Sequence, residues 1–123
     1  MKFLLCLLAL AAPLFAEEVK VVSPDDVAKL IAEKKATVLD IRTPEEFSAG
    51  HIPGAVNIDF LEGDFAKKIA ALDKGKTYVV HCGAGSRSGR ALPAFLEQKF
   101  PSLLHLQAGF KGWESAGKPV EKK

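Results

Sequence analysis

"TYVVHCGAGSRSGRA", residues 77–91, decides how this 123-residue chain reads. Thr77 to Cys82 is an apolar run rich in β-branched and aromatic side chains, which suits a strand. It has no polar alternation, so the strand is expected to be covered on both faces. A loop of small residues follows, ending in Arg87, and the pattern beyond it predicts a helix from Ser88 to about Lys99. Strand, glycine loop and helix in that order form one repeat of an alternating α/β fold. Pro93 falls inside that helix, where it is expected to break or bend it.

Both flanks continue the alternation. In "SPDDVAKLIAEKK", Ser23 is placed to cap a helix, Pro24 to open it, and Asp25 and Asp26 to face its positive end. Val27, Leu30 and Ile31 then share one helical face. Ala36 to Ile41 reads as a short buried strand, and Thr43, Pro44 and Glu46 repeat the helix-start signature before Gly50 stops it. Pro53 and Gly54 mark a turn leading into a short edge strand. Phe65 to Leu72 reads as a helix, Asp73 to Lys76 as a turn, Leu103 to Gln107 as a strand, and Phe110 to Gly117 as a last short helix. The expected fold class is α/β: a small, mostly parallel central sheet with helices on both faces.

The first 16 residues read as a secretory signal peptide, with Lys2 as the positive region, Phe3 to Phe15 as the apolar region and Ala16 as the small residue at the cut. The apolar run is shorter than the ~20 residues of a spanning helix. The expected mature protein is therefore a single domain, residues 17–123, exported to the periplasm without stable membrane association. Losing Lys2 lowers the formal charge from +2 to +1, and the remaining charges are mixed along the chain, which gives no support for nucleic-acid binding. Cys6 leaves with the signal, so Cys82 stands alone and the fold is expected to hold without a disulfide.

A lone thiol in an oxidising compartment is either packed away or kept for its chemistry. Cys82 falls where a strand gives way to a loop, the end of a parallel sheet at which ligands bind. Gly83, Ala84, Gly85 and Ser86 carry no bulky side chain, so their backbone N–H groups can curl inward as an anion-binding nest, and Arg87 adds a fixed cation. Such surroundings lower a thiol pKa.

"HCGAGSRS" resembles the active-site loop of the rhodanese family, in which a cysteine opens a six-residue loop closed by arginine. "LDIRTPEEFSAGHIPGAVNI" (39–58) and "AGFKGWESAGKPV" (108–120) are similar to the family's two flanking signatures, and the exported single-domain format resembles the small phage-shock rhodaneses. The resemblance implies a sulfurtransferase in which Cys82 carries sulfur as a persulfide, the amides of Gly83 to Ser86 hold it, and Arg87 closes the loop. Ser88 matches the small hydroxyl residue that follows, and its position suits a cap on the next helix. The implied partners are a small-molecule donor such as thiosulfate and a thiol, cyanide or protein acceptor. No metal or organic cofactor is implied. Several thiosulfate-using relatives have a basic residue where this chain has Gly83.

Two alternatives stand beside this reading. Protein tyrosine phosphatases and some arsenate reductases use a related cysteine-to-arginine loop with five intervening residues, whereas Gly83 to Ser86 number four. A tighter loop suits one sulfur atom better than a phosphate. The other alternative is a non-catalytic rhodanese-like binding module. Asp40 and Arg42, at the end of a neighbouring strand, either border the pocket or pair with each other, and pairing is the commoner fate of charges near a core. His51 and His81 are expected to hydrogen-bond loop backbone. His105 has no reactive partner near it in sequence and is expected to have no catalytic role. Phe110 and Trp113, three apart, are expected to anchor the last helix to the sheet.

Overall fold

The computed structural model describes residues 19–122, so the expected signal segment lies outside the described residues. Ten elements alternate along the chain: β1 (Lys20–Val21), α1 (Pro24–Ala32), β2 (Thr37–Asp40), α2 (Pro44–Ala49), β3 (Val56–Asn57), α3 (Phe65–Ala70), β4 (Tyr78–His81), α4 (Ser86–Glu97), β5 (Leu103–His105) and α5 (Gly109–Ser115). The five strands form one sheet in the order β1-β5-β4-β2-β3, and every pair is parallel. This is the α/β architecture expected from the sequence. It also contains β1, a two-residue exposed edge strand that the sequence pattern does not announce.

Strand β4 lies at the centre and all four of its residues are buried. Its period-2 alternation divides the core. Tyr78, Val80 and Cys82 face a cluster with Phe65, Ile69, Ala91 and Phe95 from α3 and α4, while Val79 joins Val27, Ile52, Leu106, Phe110 and Trp113 on the other face. Burying these side chains is worth roughly 1.5–3 kcal/mol for each large one, which fixes the register of β4 and aims Cys82 at the base of α4.

Helices α1 and α2 begin as their sequences predict. Ser23 and Asp26 exchange side-chain and backbone hydrogen bonds in a reciprocal cap, and so do Thr43 and Glu46. Helix α4 departs from expectation in two ways. It starts at Ser86 rather than Ser88, capped by Gly85 in the left-handed region (φ 99°), so Ser88 is not its cap. It also runs unbroken through Pro93. The proline ring costs the helix the bond to the Gly89 carbonyl, but both residues are exposed, so water can satisfy that oxygen.

Candidate active site

Cys82 is 1% exposed at the carboxyl end of β4. Its sulfur receives backbone N–H bonds from Gly85 (3.1 Å) and Ser88 (3.3 Å), and the Ser88 hydroxyl lies 3.3 Å away. The left-handed Gly85 turns the chain so that these donors converge. A side chain there would strike the Gln107 carbonyl at 2.6 Å. Burial pushes the thiol pKa up, and the Ser88 hydroxyl with the amides of Ser88, Ala84 and Gly85 outweighs it, bringing the thiol below its usual value.

The loop's outer side is held by α5. Phe110 N–H donates to the Cys82 carbonyl (2.8 Å) and Lys111 N–H to the Gly83 carbonyl (3.0 Å). With those carbonyls held outward, the loop offers N–H groups to the sulfur. Gly109 (φ 70°) permits this closeness, because a Cβ there would overlap the Gly83 carbonyl. Phe110 and Trp113 anchor the helix as expected: both are buried in the second core cluster, and the indole N–H donates to the Pro119 carbonyl (2.6 Å).

Arg87 is forked onto Glu46, with nitrogen-to-oxygen distances of 2.8 and 3.1 Å. Its guanidinium lies against Gly83, where an added Cβ would come within 3.3 Å of it. The Arg87 fork lowers the Glu46 pKa from 4.5 to about 2, with bonds from Thr43 adding to the effect against partial burial, and Glu46 in turn raises the pKa of Arg87. Glu46 therefore joins the cap of α2 to the loop-closing cation. The sequence reading did not single it out as a site residue, although its place three residues after Thr43 marked it as a cap.

Asp40 and Arg42 form the ion pair that charge burial favours. Arg42 Nε and Nη2 donate to the Asp40 carboxylate at 2.7–3.1 Å, and Nη2 also donates to the Gly50 carbonyl. The Arg42 guanidinium stacks 4.3 Å over the Phe110 ring. His81 bonds loop backbone as expected, through Nδ1 to the Cys82 carbonyl, whereas the Nδ1 of His51 bonds the Phe47 carbonyl inside helix α2, both at 2.8 Å. Burial lowers the His81 pKa despite the nearby Asp40, so its neutral ring carries the proton on Nδ1, while Nε2 has no hydrogen-bond partner among the described residues.

His105, which has no reactive partner near it in sequence, lies beside the site in space. Its Nε2 lies 2.8 Å from the Ser88 hydroxyl, which itself touches the sulfur. The two residues are seventeen apart in sequence, and only the parallel pairing of β5 with β4 brings them together.

A cleft of about 320 Å³ opens beside Gly83, lined by Arg42, Glu46, Gly50, Phe110, Lys111 and Glu114. A larger cleft of about 550 Å³ lies at the amino ends of β2 and β4, beside Lys34, Lys35 and Lys76. The first is at the ligand-binding end of a parallel sheet and the second is not. Among the described residues no group of His, Cys, Asp or Glu is arranged to hold a metal ion, and no helix is long and apolar enough to cross a membrane.

A parallel sheet with a cysteine loop at the carboxyl end of its central strand, tied down by the N-terminus of the last helix, defines a class. Residues 23–116 match the rhodanese-like domain, and the chain belongs to that family. It is 38% identical over 94 residues to thiosulfate sulfurtransferase GlpE of Pseudomonas aeruginosa, a match covering 76% of this chain and 83% of that one. It is 36% identical over 91 residues to the putative sulfurtransferase YtwF of Bacillus subtilis, covering 74% and 85%. A rhodanese-related protein from Thermoplasma volcanium superimposes with a TM-score of 0.75 at 31% identity, over 85% of this chain and 99% of that one.

Proposed function

We propose that this sulfurtransferase carries sulfane sulfur on Cys82, taking it from a small anionic donor such as thiosulfate and passing it to cyanide, a small thiol or a protein thiol. The observation that carries the proposal is the convergence of the Gly85 amide, the Ser88 amide and the Ser88 hydroxyl on one buried sulfur whose pKa is lowered. The thiolate attacks the outer sulfur of thiosulfate; a sulfur–sulfur bond forms as the bond to the sulfonate group breaks, and sulfite leaves with the electron pair. The loop amides then hold the persulfide, and Arg87 supplies positive charge beside the incoming anion. Attack by an acceptor on the terminal sulfur releases Cys82 as thiolate, with no redox change in the protein. The chemistry as drawn uses no cofactor. We assign it to the periplasm, on the signal-like residues 1–16.

Intact-mass spectrometry after incubation with thiosulfate tests the reading. The expected result is a gain of about one sulfur atom, removed by cyanide and absent in Cys82→Ser. If polysulfide loads Cys82 and thiosulfate does not, thiosulfate is not the donor. If no donor loads it, the sulfur-carrier reading is wrong.

A further inference from the structure

We infer that His105 is a positioning residue for Cys82, acting through Ser88: its Nε2–H holds the serine oxygen so that the serine proton points at the sulfur. The inference rests on reading Cys82 as the reactive thiolate, but its test reads the thiol itself and needs no sulfur transfer.

The geometry gives the argument. Ser88 is fully buried, and its hydroxyl has two neighbours, Cys82 sulfur at 3.3 Å and His105 Nε2 at 2.8 Å. A hydroxyl has one proton, so it can donate to only one of them. When the sulfur is a thiolate it has no proton to give, and the Ser88 proton is worth most there, in a charge-assisted bond. Then Nε2 must be the donor to the serine oxygen. When the sulfur is a thiol the chain of donors can reverse: S–H to the serine oxygen, serine O–H to Nε2, with the imidazole proton on Nδ1. Ionisation through this chain moves the thiol proton to Ser88, the Ser88 proton to Nε2, and the Nδ1 proton to water, so no charge remains on the ring. Imidazole supports both directions because either ring nitrogen can carry the proton.

The surroundings suit a neutral imidazole. Burial lowers the His105 pKa, and His105 is 4% exposed. On β4 the nearby titratable groups are Cys82, on the same face of the sheet, and His81, held neutral by burial on the opposite face; α4 contributes the Ser88 hydroxyl, and β1 sets Val21 opposite it in register. Among the described residues no carboxylate pairs with His105, so its part in the chain is set by Ser88.

The pH dependence of Cys82 alkylation by iodoacetamide tests the inference, since the thiolate is the reacting form. His105→Leu should raise the midpoint and slow alkylation roughly threefold to tenfold below it, because the Nε2–H bond strengthens the charge-assisted bond from Ser88 to the thiolate more than the reversed bond steadies the thiol. His105→Gln, which can present an amide N–H near the same point, should restore most of the rate. In a Ser88→Ala background, His105→Leu should have no further effect on the midpoint. A histidine that only packs would lower the melting temperature of His105→Leu and leave the midpoint where it was. That outcome, or an equal shift with and without Ser88, would overturn the inference. If His105→Leu does not fold, a midpoint for His105→Gln displaced as far as that of Ser88→Ala would overturn it as well. Failure of the separate sulfur-loading assay with a normal alkylation profile would count against the sulfur-carrier reading and leave this inference standing.

Discussion

Replacing Glu46 by glutamine isolates the ion pair that ties helix α2 to the active-site loop. Glutamine keeps the size of the side chain and an oxygen able to accept from Thr43, but it loses the charge that grips Arg87 at 2.8 and 3.1 Å. A carboxyl lowered from 4.5 to about 2 corresponds nominally to about 3 kcal/mol of stabilisation. The Arg87 and Glu46 side chains retain 22% and 39% of their exposure, so solvent screening reduces the expected value to about 1–2 kcal/mol. For a domain of this size that lowers the melting temperature by roughly 5–15 °C. The sign of the pH dependence follows from a depressed folded-state pKa: the stabilisation is present in full above about 4.5 and lost as the pH falls toward about 2. Urea unfolding of both proteins should therefore show a gap at neutral pH that narrows steadily between about pH 5 and pH 3. Equal stability at neutral pH, or a gap that does not narrow in acid, would refute the reasoning.

Two further substitutions probe the supports of the site. Asp40→Asn leaves the buried Arg42 without its charge partner, and calorimetry should show a loss of about 3–5 kcal/mol; a loss below about 1 kcal/mol would mean that the Gly50 carbonyl and the Phe110 ring suffice. Gly109→Ala forces a side chain into a left-handed backbone and against the Gly83 carbonyl, at a cost of at least about 2 kcal/mol, and should also slow Cys82 alkylation by displacing the loop. Normal alkylation in a destabilised Gly109→Ala protein would show that the loop keeps its shape without close support from α5.

What the sequence made legible was local. Ser23 with Asp26, and Thr43 with Glu46, are caps closed within three residues, so spacing alone reveals them. Cys82 was visible because strand, small-residue loop and helix are consecutive. The less legible features depend on residues far apart or on weak local signals. Glu46 meets Arg87 across 41 positions, and His105 meets Ser88 across seventeen, through pairings that the sheet sets and the chain does not display. Strand β1 has two exposed residues and no pattern to detect. The sequence puts the start of α4 two residues late because a hydroxyl is the usual cap, while here a left-handed glycine opens the helix and frees Ser88 to face the sulfur. Pro93 reads as a breaker from sequence because its exposure, and that of Gly89, is a tertiary property.

The bonds from Phe110 and Lys111 to the Cys82 and Gly83 carbonyls have a consequence for how such a protein can diversify. Two of the three close donors to the sulfur, the Gly85 and Ser88 amides, belong to the main chain and are encoded by no particular side chain. Ala84 and Ser86 are exposed on the loop's rim. Exchanging them, or the exposed Lys111 and Glu114 that line the cleft beside Gly83, changes the surface an incoming molecule meets while leaving the amides in place. The framework thus separates reactivity from selectivity: the first is written in backbone geometry, and the second can be rewritten one rim residue at a time.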